Sequence, residues 1–177
     1  MSQILNPNSL DAYDYELPQE LIANFPTLPK EDAGLLVYER ASEKISHLKF
    51  GDLPEILPPC DIIFNDTKVV KARIFGKKQS GGETELLLNS PLADGKFSVY
   101  IKGKVRAGSV LNFSENLTAE VCELFKDGSR TVKFSQSGRL LDAAALYKIL
   151  SHIGHVPLPP YIKRSDTKDD ESWYQSV

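Results

Sequence analysis

Residues 69–102 read VVKARIFGKKQSGGETELLLNSPLADGKFSVYIK, and this stretch decides the fold. Short runs rich in β-branched and apolar residues are separated there by Gly81-Gly82 and Asp94-Gly95, and further along the chain by Asp127-Gly128, all typical of hairpin turns. The expected strands are 69–77, 83–89, 96–102, 109–113, 117–125 and 129–134. Six short strands of this kind predict a small antiparallel β-barrel, an arrangement that leaves no exposed sheet edge.

Helices and further strands are predicted on both sides of the barrel. The expected helices are 18–23, 51–57 and 140–150, and the expected strands are 34–40, 45–50 and 61–65. This order indicates an α/β (α+β) domain that the barrel interrupts. We therefore expect a truncated discontinuous domain made of residues 1–66 and 151–177, with residues 67–150 forming the inserted barrel and the helix that follows it.

The composition excludes several classes of protein. Hydrophobic residues make up 41% of the 177 residues, too many for a disordered chain. No apolar run approaches the roughly 20 residues of a transmembrane helix, and the first residues lack the pattern of a signal peptide. Cys60 and Cys122 have no metal-ligand spacing and fit buried thiols of a reducing compartment. We expect a cytoplasmic, monomeric protein without a metal.

Positive charge is concentrated in the middle of the chain. Residues 1–60 contain 4 basic and 10 acidic residues, whereas residues 61–108 contain 9 basic and 5 acidic residues. Strand alternation places Lys71, Arg73 and Lys77 on one face, where they could follow phosphates. Lys102, Lys104 and Arg106 form a second alternating set. The alternative is that exposed strands carry lysines on their solvent face.

A polar corner follows the expected strand 61–65. Asn65, Asp66 and Thr67 present an amide, a carboxylate and a hydroxyl, which can hydrogen-bond a ribose or a nucleobase. Asp66 could also take a proton. The alternative is a turn in which Asp66 and Thr67 bond their own backbone.

A proline-rich loop at 154–161 is the other place where side chains can be held in fixed positions. His155 lies in this loop and could serve in acid–base catalysis, although a structural histidine is the alternative. We expect the acidic residues that follow, Asp166, Asp169, Asp170 and Glu171, to be solvated in a flexible loop.

Four blocks of the sequence resemble the queuosine ribosyltransferase-isomerase family, and they are in the family's order and spacing. They lie at 13–23 (YDYELP and LIA), 64–76 (FNDTKV and ARIFG), 82–88 (GETELLL) and 154–164 (GHVPLPPYIKR). The final residues, YQSV, resemble the beginning of the family's next block. At the position of Lys68 the family usually has arginine, and at the position of Lys71 it often has proline. Lysine lacks the planar fork of arginine.

The resemblance implies an enzyme that transfers and isomerises the ribosyl group of S-adenosylmethionine onto an aminomethyl-deazaguanine in tRNA, giving epoxyqueuosine. S-adenosylmethionine is then a co-substrate and precursor-bearing tRNA a partner. The polar corner and the proline loop both fall inside the family's blocks. We therefore assign Asp66 and His155 to catalysis, and Asn65, Thr67, Arg73, Tyr161 and Arg164 to substrate binding. Lys68, Lys71 and Lys77 are assigned to tRNA binding.

Two functions are compatible with the sequence. The first is this tRNA-modifying enzyme, of which the chain is an amino-terminal half that is inactive alone because the family's later blocks are missing. The second is a non-catalytic β-barrel that binds RNA.

Overall fold

The computed structural model describes residue 6 and residues 8–175, which fall into two compact units. One unit contains the residues up to 61 and residues 159–164, and the other contains residues from 62 to 158 and from 165 onward. No helix among the described residues has the length and apolarity that crossing a membrane requires. The expected division into 1–66, 67–150 and 151–177 stays a prediction.

The first unit is built on an antiparallel hairpin. Strand β1 (Gly34–Glu39) pairs with β2 (Lys44–Lys49), close to the predicted bounds. A short helix, α1 (Leu53–Ile56), follows as expected. The helix predicted at 18–23 is reduced to a single 3₁₀ turn, Gln19–Leu21, because so short a segment cannot offset the cost of helix nucleation.

Six strands of the second unit close into an antiparallel barrel, which confirms the predicted fold class. The strands are β3 (Arg73–Lys78), β4 (Glu83–Pro91), β5 (Lys96–Lys102), β6 (Val110–Asn112), β7 (Leu117–Leu124) and β8 (Ser129–Gln136). Pairing runs in the order β3, β4, β5, β8, β7, β6 and returns to β3. Register shifts at Leu88/Ser90 and at Val121/Glu123 provide the bends that a small barrel needs.

The barrel interior holds the hydrophobic core. Alternate residues of each strand point inward, as in β4, where Leu86 and Leu88 are buried. The rings of Phe97 and Phe134 meet edge to face with centroids 5.3 Å apart. These residues are fully enclosed, so the interior is a packed core rather than a ligand cavity.

A helix covers the barrel on one side. Strand β9 (Arg139–Leu140) first extends the pairing of β8, so α2 (Ala143–Ile153) begins later than predicted. Its N-cap is Asp142, whose carboxylate accepts the Ala145 N–H at 2.8 Å. Leu146 and Leu150 bury the apolar face of the helix against the barrel core. The last helix, α3 (Asp170–Trp173), lies in the same unit.

The strand predicted at 61–65 is wrong. These residues pair with no other strand in the described part of the chain, and Ile62, Ile63 and Phe64 are 56%, 94% and 72% exposed. A strand forms only where a neighbouring edge accepts its hydrogen bonds, so apolar character alone was insufficient. The expected burial of the cysteines is also wrong, because Cys60 is exposed and Cys122 is half-buried.

Candidate functional site

His155 is joined to the barrel through its backbone. Its N–H donates to the Arg73 carbonyl at 2.8 Å, and the Arg73 N–H donates to the His155 carbonyl at 3.2 Å. Gly154 ends α2 by donating to the Leu150 carbonyl at 2.9 Å. Two predicted site residues, Arg73 and His155, are therefore direct neighbours.

The imidazole of His155 is held by Asp166. Nδ1 lies 3.1 Å and 3.0 Å from the two carboxylate oxygens. A carboxylate only accepts hydrogen bonds, so Nδ1 is the donor and carries the proton in the neutral ring. Nε2 then has a lone pair for a substrate proton, and no hydrogen bond within the described residues engages it. The Asp166 side chain is 15% exposed, so the expectation that it is solvated is wrong.

An aromatic side chain completes this site. Phe75 meets the His155 ring at 5.0 Å between centroids, with the planes at 72°, and remains 50% exposed. A cleft of about 310 Å³ begins at Phe75 and is also lined by Thr84, Glu85 and Lys102. An exposed aromatic face beside polar groups is suited to stacking a nucleobase.

Arg73 is engaged by protein groups. Its Nε lies 3.1 Å from the Glu85 carboxylate and forms an ion pair with it, but Nε makes no hydrogen bond. Its Nη2 donates to the Leu158 carbonyl at 3.3 Å. Lys102 approaches the same carboxylate at 3.8 Å. The guanidinium therefore links the barrel to Leu158 of the proline loop. Its ion-pair partner Glu85 also lines the cleft beside Phe75.

The polar corner is exposed. The side-chain oxygen of Asn65 accepts the Thr67 N–H at 3.0 Å, the local turn bond of an asparagine. Asp66 is exposed between them. In the alternative interpretation as a turn, we expected the side chains of Asp66 and Thr67 to bond the backbone. In the structure the Asn65 side chain does so. The substrate and catalytic roles of the three residues stay predictions.

The three predicted tRNA-binding lysines differ in their surroundings. The Lys71 ammonium lies 2.8 Å from the Glu171 carboxylate, and the Lys71 side chain is 24% exposed. Glu171 is exposed to solvent, as expected, although it forms this ion pair. Lys77 is exposed on β3. Lys68 lines a separate cleft of about 690 Å³ with Lys71 and Gln175. Asp170, also expected in solvent, is fully buried and accepts from the Thr167 N–H and hydroxyl at 2.6 and 3.1 Å.

Tyr161 and Arg164 belong to the first unit. The Tyr161 carbonyl accepts from the Gln19 amide at 3.4 Å, and its side chain is 54% exposed. Arg164 Nε donates to the Asn24 carbonyl at 2.7 Å, and its guanidinium lies 4.3 Å from the centre of the Phe25 ring. Their assignment to substrate binding stays a prediction.

The comparison with known proteins agrees with the resemblance. The family model described as "Queuosine biosynthesis protein" matches residues 10–177. Proteins named S-adenosylmethionine:tRNA ribosyltransferase-isomerase from Campylobacter fetus subsp. fetus and Campylobacter concisus are 60% and 58% identical to it, each over 96% of this chain. The chain spans about half the length of these curated relatives, 50% in both cases.

A solved structure is also similar in sequence. It is an S-adenosylmethionine tRNA ribosyltransferase from Thermotoga maritima, 32% identical, and the match covers 80% of this chain and 48% of that chain with a TM-score of 0.38. That score adds nothing about the fold. The family model matches residues 10–177, which is nearly the whole chain, and this match is sufficient by itself: the chain belongs to the queuosine biosynthesis protein family.

Proposed function

We propose that this chain is the part of an S-adenosylmethionine:tRNA ribosyltransferase-isomerase that contains the barrel and the His155 site. The observation that carries the proposal is the 60% identity over 169 residues to a relative of that name. The reaction moves the ribosyl group of S-adenosylmethionine onto an aminomethyl-deazaguanine in tRNA and isomerises it, with adenine and methionine as leaving groups. We further propose that the protein acts in the cytoplasm, as a monomer and without a metal.

The reaction needs proton transfers that a positioned imidazole can supply. The proton beside the sulfonium of S-adenosylmethionine must be removed, and the departing adenine must gain one. His155 is suited to one of these steps because Asp166 holds Nδ1 and leaves Nε2 available. Asp66, an exposed carboxylate, is our candidate for the other step.

The groups around His155 support binding of a nucleoside. Phe75 offers an exposed aromatic face, and the adjoining cleft of about 310 Å³ has both a carboxylate and an ammonium in its lining, from Glu85 and Lys102. We propose that a base stacks on Phe75 while these charged groups hydrogen-bond its ribose. Arg73 keeps the proline loop in place through Leu158.

The test uses the full-length gene product with S-adenosylmethionine and precursor-bearing tRNA, and measures released adenine. We expect His155→Gln to reduce kcat by roughly 10² to 10⁴, the usual contribution of a general acid or base. Asp166→Asn should also lower kcat and alter its pH profile, because an amide can stabilise the wrong ring tautomer. The matched control is His152→Gln, an exposed histidine on α2.

Three results would count against this assignment. Full activity in His155→Gln would remove His155 from catalysis. Equal losses in His155→Gln and His152→Gln would point to a general effect of substitution. Absence of adenine release from the unaltered full-length protein would overturn the proposed function itself.

A further inference from the structure

A second cleft on the barrel has a chemistry that the His155 site does not use. It has a volume of about 400 Å³ and lies at the β3–β4 turn and the β5–β6 loop. Three cations line it, Lys78, Lys104 and Arg106, and none of its described lining residues is acidic. The sequence analysis grouped Lys102 with Lys104 and Arg106. In the structure Lys102 approaches Glu85 and does not line this cleft, and Lys78 is the third cation of the lining.

Two of these cations are attached to rigid backbone. Lys78 ends β3 and is opposite Leu111 of β6, and its side chain crosses Gly103, where its ammonium lies 2.9 Å from the point a Cβ would occupy. Arg106 begins a turn that two hydrogen bonds of 3.0 Å close, from the Ser109 N–H to the Arg106 carbonyl and from the Arg106 N–H to the Ser109 hydroxyl. The backbone that carries these two cations is therefore held in place by the fold.

The lack of acidic neighbours distinguishes these cations from others in the same unit. Among the described residues of this unit, four lysines and arginines have a carboxylate within 4 Å, namely Lys71, Arg73, Lys96 and Lys102. Over the described residues, no ion pair joins a carboxylate to Lys78, Lys104 or Arg106. Because no carboxylate of the described residues occupies these cations, an external anion would bind here with little competition. The anion would also reduce the repulsion among the three positive charges.

We propose that this cleft binds the phosphate backbone of the tRNA, an inference that rests on the proposed function. The volume of about 400 Å³ is more than ten times the roughly 30 Å³ share of one water molecule, so a phosphodiester fits. Arginine can hold two phosphate oxygens at once, and lysine supplies a point charge. Such contacts position an RNA without reading its sequence.

The test measures binding of an anticodon stem-loop RNA by the 177-residue chain as salt rises from about 50 to 200 mM. The variant carries Lys78→Gln, Lys104→Gln and Arg106→Gln. We expect affinity at low salt to fall by about tenfold or more, and the log–log salt slope to flatten by roughly one unit for each phosphate that the protein no longer neutralises. The control carries Lys126→Gln, Arg139→Gln and Lys148→Gln, exposed residues with the same change in charge that do not line the cleft.

The control set should change affinity and slope much less. Equal weakening by both sets would mean that only net charge matters, and would overturn the proposal. So would unchanged binding by the cleft variant, or no binding by the unaltered chain at the lowest salt. Thermal unfolding by circular dichroism verifies that both variants are folded.

Adenine release separates this proposal from the proposed function. A full-length protein that lacks activity, yet binds RNA through the three cations, would refute the function and support the cleft. A full-length cleft variant with unchanged activity and unchanged RNA affinity would overturn the cleft alone.

Discussion

The position of His155 depends on contacts with three residues, two of which are distant in sequence. Arg73 bonds its backbone, Asp166 bonds its Nδ1, and Phe75 packs against its ring. The backbone pairing holds the proline loop against β3, where the His155 ring meets Phe75. Gly154 permits this approach, since a Cβ there would run into the Lys71 carbonyl and would lie 2.5 Å from the Leu150 carbonyl.

We expect Gly154→Ala to destabilise the barrel unit by about 1–3 kcal/mol, because both obstructing atoms belong to the backbone. The φ of −82° suits alanine, so the destabilisation would come from these close approaches and not from backbone strain. Urea unfolding of the 177-residue chain measures the free energy of unfolding. His152→Ala, at an exposed position on the same helix, should change it by less than about 0.5 kcal/mol. A Gly154→Ala protein as stable as the unaltered chain would show that the loop can move away from β3.

At the scale of elements, the barrel closes where β3 meets β6. This contact is short, with Lys77 opposite Asn112 and Lys78 opposite Leu111. Gly76 lies directly before it, and a Cβ on Gly76 would overlap the Asn112 carbonyl and approach the Phe113 ring to 2.5 Å. The short strand β6 can therefore reach β3 only because Gly76 has no side chain.

We expect Gly76→Ala to lower the free energy of unfolding by about 1–3 kcal/mol, since β6 must shift away from β3. Amide hydrogen exchange should show faster exchange in β6 than in β8. The matched control is Gly82→Ala in the same hairpin, where the nearest atom to the new methyl group is the Ser80 hydroxyl at 3.9 Å. If Gly76→Ala and Gly82→Ala have the same free energy of unfolding, close packing at the β3–β6 contact does not limit the stability of the barrel.

At the scale of the whole molecule, burial is unevenly distributed. Among the described residues, the buried apolar side chains belong to the barrel unit, with Ile162 as the exception. The first unit leaves large apolar side chains exposed, including Leu21, Phe25 and Leu36 at 71%, 57% and 60%. A unit with so little core gains little stability from burial.

We expect the 177-residue chain by itself to release no adenine from S-adenosylmethionine in the presence of precursor-bearing tRNA. The relatives named for the activity are about twice as long, and the chain covers 50% of them. Chromatography of the reaction products measures adenine, with the full-length gene product as the positive control. A cooperative thermal unfolding transition, measured by circular dichroism on the same sample, shows that the chain is folded. Turnover by the 177-residue chain near that of the full-length protein would contradict this expectation.

The sequence alone determined the barrel and its turns. Strand alternation and turns such as Asp127-Gly128 depend on neighbouring residues, so β5 is found at the predicted 96–102. The family could likewise be recognised from the sequence alone, through the order of its blocks. The match over residues 10–177 confirms that recognition.

Only the tertiary structure decided which charges and edges meet. Nothing local in the sequence shows that Asp166 faces His155, that Glu171 pairs with Lys71, or that Lys78 joins Arg106 in one cleft. The apolar segment 61–65 failed as a strand for the same reason, because no described strand offers it an edge. Hydrogen bonds and ion pairs between distant segments exist only once the fold has brought those segments together, so local patterns could not reveal them.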